Sequence, residues 1–253
     1  FTPNDLRLIK DSSERRREEI DSLGLQLSSS YRRLRSEYHR SVTQRNRLLR
    51  EGSFSAGTLD AWSDRVADLG AALTNSRLRL LGRLDPHLKK AFTEIDESAV
   101  IEANYAFGWG LPGQDDPLEF LRQTKDEQKL ILKEAMLQKG EQERTRGTTL
   151  VGPHRDDIRF MIDGRDTRSF GSQGQQRSVA LAWKLAEVET VREVTGDSPI
   201  LLLDDVMSEL DDRRRAALAA IVGTVAQTVV TTANIGYFTE DMLQRAHIVQ
   251  VGE

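Results

Sequence analysis

Two adjacent aspartates, Asp204 and Asp205, directly follow an uninterrupted apolar run at 200–203. Such a run, without alternation, is typical of a parallel strand that is buried on both faces. Ligands of open α/β sheets bind beyond the carboxyl ends of the strands, where these carboxylates stand. Because Mg²⁺ binds through one or two carboxylates, water and substrate phosphates, one acid could hold the metal and the other orient an attacking water. The alternative is a pair of turn or helix-capping aspartates.

A capped helix is predicted shortly before that strand. Ser172 and Gln175 have the S-x-x-Q spacing of a capping box. Gly171 and Gly174 carry no side chain, so another backbone could approach the mouth of the helix closely. The free N–H groups of a helix start bind anions, which makes this mouth a candidate phosphate site. An ordinary capped helix without a ligand is the alternative.

These segments resemble the motifs of the ABC-type ATPases, in the variant found in the RecF family. The segment 170–177 (FGSQGQQR) is similar to the signature motif, 202–205 (LLDD) to the Walker B motif and 208–211 (SELD) to the D-loop. The similarity extends to 150–157 (LVGPHRDD) and, toward the start, to Arg16-Arg17 and 44–46 (QRN). It covers essentially the whole chain and is looser in the middle.

The resemblance implies an α/β fold. We expect the C-terminal lobe of an ABC-type ATPase head, a mostly parallel sheet with flanking helices, plus an inserted helical arm domain. The predicted boundaries are 1–11 for the end of lobe I, 12–147 for the arm, with a possible strand at 99–107, and 148–253 for lobe II. Within lobe II, strands are predicted at 148–152, 158–162, 228–232 and 247–251, a hairpin turn at Asp163-Gly164 and a helix end at Gly223.

The resemblance also implies a chemistry, in which two heads dimerise around ATP. Ser172, Gly174 and Gln175 would contact the γ-phosphate of a nucleotide held mainly by the other subunit, and Asp211 would be a further nucleotide contact. Asp204 would bind Mg²⁺, and Asp205 would act as the base or orient the water. The switch histidine that such heads often carry would follow strand 228–232, but Thr232 and Ala233 stand there. We therefore expect slow hydrolysis.

For the RecF family, the implied role is recombinational gap repair, with links to DNA replication and the SOS response. The ATP-dependent homodimer would mark double-stranded DNA beside single-strand gaps. With RecO and RecR it would help to place RecA on those gaps.

Long amphipathic helices are predicted from residue 12 to Asp85-Pro86, because apolar residues recur there at three- and four-residue spacing and no strand signal is present. Between Tyr31 and Arg50 lie seven arginines and one acid, Glu37, a net charge of +6. Such a face could contact successive phosphates, with binding that depends strongly on salt. The arginines predicted to bind DNA are Arg32, Arg33, Arg40, Arg45 and Arg47. A solvated helix face is the alternative.

Composition limits the remaining possibilities. The chain has 253 residues, a net charge of −4 and no cysteine, so thiolate metal sites and disulfides are excluded and a cytosolic location fits. His154 and the neighbouring Asp156 and Asp157 could form a metal-dependent nuclease site. However, Arg155 would repel the ion, so a hydrogen-bonded turn is the preferred interpretation.

No G-x-x-x-x-G-K-[ST] phosphate loop occurs in the chain, which begins at Phe1. We interpret the sequence as a fragment and expect it, alone, neither to bind ATP tightly nor to hydrolyse it, whereas the full head would be a slow ATPase. The alternatives are an SMC-like chromosome-organising or defence ATPase, a transporter ATPase subunit, and a non-catalytic DNA or protein interaction module.

Overall fold

The computed structural model describes residues 1–52, 56–110, 116–222 and 227–251. The predicted helix end at Gly223 lies outside these residues. The chain divides into two compact units. Unit 1 comprises residues 1–10, 84–102 and 161–253, and unit 2 comprises residues 11–83 and 103–160.

The α-helices of the described residues are α1 (Ser13–Leu27), α2 (Ser29–Glu51), α3 (Ala56–Ile95), α4 (Pro117–Arg122), α5 (Lys125–Gln138), α6 (Gly140–Arg146), α7 (Thr167–Phe170), α8 (Gln173–Thr195), α9 (Asp212–Val222) and α10 (Glu240–Arg245). Short 3₁₀ helices occur at Pro3–Arg7, Val206–Glu209 and Ile235–Tyr237. The predicted helical arm and the α/β character are both present.

The described strands form two sheets. The first is three-stranded, in the order β1 (Ile101–Ala106), β2 (Asp157–Ile162) and β3 (Arg165–Asp166), and β2 pairs antiparallel with β3. The predicted turn joins this pair, with positive φ at both Asp163 and Gly164. The second sheet pairs β4 (Ile200–Asp204) in parallel with β5 (Gln227–Thr231).

The helix predicted to stop at Asp85-Pro86 does not stop there, because α3 contains Pro86 and continues to Ile95. Proline removes a backbone donor and crowds the preceding turn. Leu88 and Phe92 follow at helical spacing and are at most 1% exposed, so burial of this face holds the helix together. The proline prediction was wrong because tertiary packing outweighed the local penalty.

The prediction that β4 is buried on both faces is also wrong. Leu203 is 1% exposed, but Ile200 and Leu202 are 64% and 58% exposed, and Val229 of β5 is 49% exposed. Successive strand side chains point to opposite faces, so only one face of this sheet is covered by the described residues. An uninterrupted apolar run does not show whether both faces are covered.

Two predicted strands are absent from the described residues. Residues 148–152 are not a strand, because side chains satisfy their backbone: Thr149 N donates to Asn46 Oδ1 at 2.7 Å and Leu150 N to Glu143 Oε1 at 2.7 Å. Residues 247–251 are likewise irregular, and Ile248, Val249 and Val251 are exposed.

The compact units differ from the predicted domains, since residues 84–102 belong to unit 1 and residues 148–160 to unit 2. Residues 148–160 belong to unit 2 because this segment bonds to the arm helices. Arg16 of α1 holds Asp157, and Tyr38 of α2 holds His154. Among the described residues, no helix is long and apolar enough to cross a membrane.

Candidate functional site

The mouth of α8 in unit 1 has the predicted geometry. Ser172 is the N-cap: its Oγ accepts from Gln175 N at 3.2 Å, while Gln175 Oε1 accepts from Ser172 N at 2.9 Å. This reciprocal capping box is therefore confirmed. Ser172 is exposed, whereas the helix body is buried, with Val179 to Ala182 fully covered. The free N–H groups of the first turn therefore start at the surface of a rigid helix.

The space left by Gly174 is occupied from within the same unit. A Cβ at this position would lie 3.1 Å from a guanidinium nitrogen of Arg214, which donates to Gly174 O at 2.7 Å. The absence of a side chain therefore allows an arginine of α9 to reach the first turn of α8. Arg214 also pairs with the carboxylate of Asp211, one of the predicted nucleotide contacts.

A second arginine joins the helix to the segment 208–211. Arg177 donates from Nη1 to Glu209 O at 2.8 Å and from Nη2 to Glu209 Oε2 at 2.9 Å. No role was predicted from the sequence for Arg177 or Arg214. The available signal was the three-residue spacing of Asp211 and Arg214 at the start of the predicted helix, because the residue before a helix lies close to the third helical residue.

The two acids at the end of β4 occupy different environments. Asp204 Oδ1 accepts from Thr231 Oγ1 at 2.7 Å. Asp205 adopts the left-handed backbone conformation, with φ of 48°, and its N–H donates to Thr231 O and Oγ1, both at 3.1 Å. Its Oδ1 is buried and has no hydrogen-bond partner among the described residues. A buried carboxylate oxygen without a donor is costly, so this arrangement fits a site that binds a ligand.

Thr231 is a third residue of the site that was not predicted from the sequence. Its hydroxyl joins the ends of β4 and β5 by donating to one aspartate and accepting from the next. The parallel register of Asp204 with Thr231 brings the two residues together, and this register is a tertiary property. Thr232, a candidate for the switch position, instead forms a local turn with Asn234.

Within the described residues there is no group of three or more His, Cys, Asp or Glu side chains that could hold a metal ion. A Mg²⁺ ion does not need one, since water and substrate phosphates complete its octahedral shell. Asp204 retains one carboxylate oxygen beyond its bond to Thr231, and Asp205 Oδ1 has no partner within the described chain. This donor set fits Mg²⁺.

In unit 2, the basic face of α2 is only partly as predicted. Arg32, Arg33, Arg40 and Arg47 are exposed, whereas Arg35 is paired with Asp21. Arg33, Arg40 and Arg47 recur at seven-residue intervals, which places them on one face about 10 Å apart at 1.5 Å per residue. Arg47 also bonds to Glu51, but this pair is exposed and therefore weak. An open cavity of about 680 Å³ lies along the same helix and is lined in part by Arg32, Arg35 and Arg40.

The DNA-binding prediction for Arg45 is wrong. This side chain is buried, and its guanidinium donates to Ser63 Oγ at 2.9 Å, Thr149 Oγ1 at 2.9 Å and Glu143 Oε2 at 2.6 Å. All of its nitrogens are therefore used inside unit 2, where no phosphate can reach them. The sequence showed an arginine-rich helix but not which arginine faces the core.

The metal-nuclease alternative is excluded by the bonds of His154. A carbonyl oxygen can only accept, so Nε2 carries the proton and donates to Thr149 O at 3.0 Å, and Nδ1 accepts from Tyr38 Oη at 2.6 Å. Both ring nitrogens are used, and burial lowers the pKa of His154 to about 4. The ring is therefore a neutral structural group.

The two neighbouring aspartates are also engaged. Asp156 is fully buried, accepts from Tyr105 Oη at 2.7 Å and Gly108 N at 3.1 Å, and burial raises its pKa to about 6. Asp157 forms a two-point ion pair with Arg16, at 2.7 and 2.9 Å. This segment is the hydrogen-bonded turn that the sequence favoured.

Both curated proteins and solved structures are similar to this chain. No protein-family model matches the chain. The chain is 38% identical over 256 residues to the DNA replication and repair protein RecF of Heliobacterium modesticaldum, covering 99% of the chain and 66% of that relative. It is 38% identical over 259 residues to RecF of Halalkalibacterium halodurans, covering 99% of the chain and 67% of that relative. The chain therefore spans about two thirds of the length of these curated relatives.

A solved structure of the recombination mediator protein RecF-ATPrS in the RecFOR pathway superposes with a TM-score of 0.81 at 30% identity. The superposition covers 93% of this chain and 62% of the solved chain. A RecF-ATP structure of the same pathway matches with the same TM-score at 29% identity, covering 93% of this chain and 61% of that one.

Proposed function

Because the chain belongs to the RecF family of DNA replication and repair proteins, we propose that it acts as an ATP-dimerised, DNA-binding clamp in recombinational gap repair. The observation that carries the proposal is the mouth of α8, which is capped by Ser172, exposed, and bonded through two arginines to the segment 208–211. Family membership removes the transporter-subunit alternative.

In this proposal the nucleotide is ATP, which is the ligand named for one of the RecF structures that resemble this chain. Ser172, Gly174 and Gln175 contact the γ-phosphate of a nucleotide held mainly by the partner protomer. The free N–H groups of the first turn and the positive end of the helix stabilise the phosphate charge. ATP then joins two protomers because it contacts both only in the closed dimer.

The acids at the end of β4 serve the hydrolytic step. Asp204 would hold Mg²⁺, which supplies charge neutralisation at the phosphate oxygens when bound. Asp205 orients the attacking water, and its buried, unpaired Oδ1 supports that role. Thr231 holds the Asp204 carboxylate and the backbone N–H of Asp205. Because Thr232 and Ala233 stand where a switch histidine would follow β5, turnover is slow.

The exposed arginines of α2 provide the DNA contact. Arg32, Arg33, Arg40 and Arg47 lie within one broad helix face, and the seven-residue spacing of three of them suits a rigid backbone of phosphates. The contacts position the protein on duplex DNA beside a gap and carry no sequence information. RecO and RecR are the partners that we propose, with placement of RecA as the outcome, because the solved relatives belong to the RecFOR pathway.

The test uses the complete gene product, with its dimerisation followed by sedimentation velocity and its turnover by phosphate release. Ser172→Arg should abolish dimerisation with ATPγS and leave nucleotide binding nearly intact. Asp205→Asn should retain the dimer and stop turnover. Thr195→Arg places the same charge at the exposed far end of α8 and should behave as the unsubstituted protein.

Normal dimerisation of Ser172→Arg would disprove the assignment of the helix mouth. The chain of residues 1–253 by itself is expected neither to bind ATP tightly nor to turn it over, since it lacks a phosphate-loop motif. Measurable turnover by this polypeptide would contradict that expectation. DNA binding without any nucleotide dependence in the complete protein would favour a non-catalytic interaction module.

A further inference from the structure

Arg214 connects three acceptors around the candidate nucleotide site. It lies in the first turn of α9, and its side chain is only 17% exposed. Nη2 donates to Gly174 O at 2.7 Å, Nε donates to Ser178 Oγ at 3.0 Å, and Nη1 pairs with the carboxylate of Asp211. One guanidinium therefore joins the start of α9 to the first turns of α8.

The chemistry of this contact requires arginine. A guanidinium is planar and presents five donors in fixed directions, so three simultaneous acceptors fix its position and the distances between them. A lysine ammonium is a single point donor on a flexible chain and cannot reproduce the three directions. Arg214 holds Asp211 at both carboxylate oxygens, because the backbone N–H of Arg214 also donates to Asp211 Oδ1 at 3.0 Å.

The neighbouring arginines differ from Arg214. Arg213 is 55% exposed and approaches Glu97 only at 3.9 Å. Arg215 donates to Met207 O at 3.0 Å and stacks 4.2 Å from the Tyr237 ring centre. Neither side chain bonds to α8 among the described residues, so Arg213 provides a matched control one residue away.

We propose that Arg214 is a positioning residue that makes the segment 208–211 and the mouth of α8 move as one body. Contact of Ser172 and Gly174 with a phosphate then sets the position of Asp211 in the same protomer. Arg177 supports the link from the other direction through Glu209, but both side chains are more than 40% exposed and the bond is weaker. The inference rests on the proposed ATP site for its functional meaning, while the coupling itself is a property of this chain.

The first experiment tests the coupling without nucleotide. Amide hydrogen exchange should be measured without nucleotide on the complete gene product and on its Arg214→Gln and Arg213→Gln variants. We expect Arg214→Gln to raise exchange about tenfold in both segments, 174–178 and 208–214, and Arg213→Gln to change neither. A rise in one segment only, or equal profiles for the two variants, would overturn the proposal.

The second experiment measures turnover in the complete gene product. Arg214→Gln and Arg214→Lys should both lower kcat by about 10- to 100-fold, as misplacement of a catalytic site does, and leave KM within twofold. Asp211→Asn combined with Arg214→Gln should be no slower than the slower single variant, because both remove one link. Multiplicative effects, or full activity of Arg214→Lys, would contradict the proposed bridge.

The two ideas fail separately. If the unsubstituted protein neither dimerises with ATPγS nor hydrolyses ATP, the proposed function is wrong, and the exchange experiment still decides whether Arg214 couples the two segments. If the unsubstituted protein is active and Arg214→Gln behaves as Arg213→Gln in both experiments, only the role of Arg214 is wrong.

Discussion

Arg45 of α2 and Glu143 of α6 form a buried ion pair with 2.6 Å between Nη2 and Oε2, and neither side chain is more than 4% exposed. Glu143 also accepts from Leu150 N, so the pair fixes the chain segment that precedes the 152–157 turn. A buried charge without its partner is strongly unfavourable.

Arg45→Ala should therefore lower the free energy of unfolding by about 3–5 kcal/mol, because it leaves the Glu143 carboxylate buried and unpaired. Urea denaturation followed by circular dichroism measures this value. Arg47→Ala, two residues away and 69% exposed, should change stability by less than about 0.5 kcal/mol. Similar losses in the two variants would show that Arg45 has no special structural role.

Arg40 and Arg47 are exposed, unlike Arg45, and are expected to contribute to DNA binding. Arg40→Gln with Arg47→Gln should weaken binding of duplex DNA and reduce the slope of log K against log salt by about 0.9 for each phosphate that the variant no longer neutralises. Fluorescence anisotropy over a range of salt concentrations measures both quantities. Lys125 and Lys133 of α5 pair with acids of α3, so glutamine at those positions provides a charge-matched control that should leave the slope unchanged. An unchanged slope in the arginine variant would make the arm a solvated face.

His154 and Asp156 should shape the dependence of stability on pH with opposite signs. Burial raises the pKa of Asp156 from 3.8 to about 6, so its contribution to stability is full below pH 3.8 and is lost as pH rises through 6. Burial lowers the pKa of His154 from 6.5 to about 4, so its contribution is full above pH 6.5 and is lost as pH falls toward 4. The two slopes oppose each other between pH 4 and 6.

Relative to the unsubstituted chain, Asp156→Asn should therefore make the free energy of unfolding rise more steeply with pH in this window, by up to about 1.4 kcal/mol per pH unit. His154→Gln should change the slope in the opposite direction by a similar amount. Urea titrations at about pH 4.5, 5.25 and 6 compare slopes within this window, so a uniform loss of stability does not affect the result. Slope changes of the same sign would contradict these assignments.

Gly108 packs so closely against the 152–157 turn that no side chain fits at this position. A Cβ there would lie 1.9 Å from the Arg155 carbonyl oxygen, and a backbone atom cannot move away as a flexible side chain can. Gly108→Ala should destabilise unit 2 by roughly 3 kcal/mol or more, as overpacking does. Thermal unfolding measures the loss. Gly82→Ala, in α3 with nothing within 4 Å of the new Cβ, should instead stabilise the chain by about 0.5–1 kcal/mol.

Much of the site followed from local patterns. The capping box at Ser172 and the turn at Asp163-Gly164 depend on interactions within a few residues, and both are present in the structure. The strand that ends at Asp204 was predicted from its run of apolar residues and is also present. The resemblance of short motifs to the RecF family was likewise local, and the comparisons confirm it.

Only the tertiary structure decided which charged residues, far apart in the chain, become partners. The sequence alone determined that α2 is rich in arginine, but packing against Glu143 and Thr149 decided that Arg45 is structural while Arg40 stays exposed. Likewise, the pairing of β4 with β5 brings Thr231 to Asp204, and Arg214 reaches Gly174 across 40 residues. Helix periodicity and capping are encoded at short range, whereas burial and ion pairing depend on which surfaces meet, and no spacing rule within one segment records that.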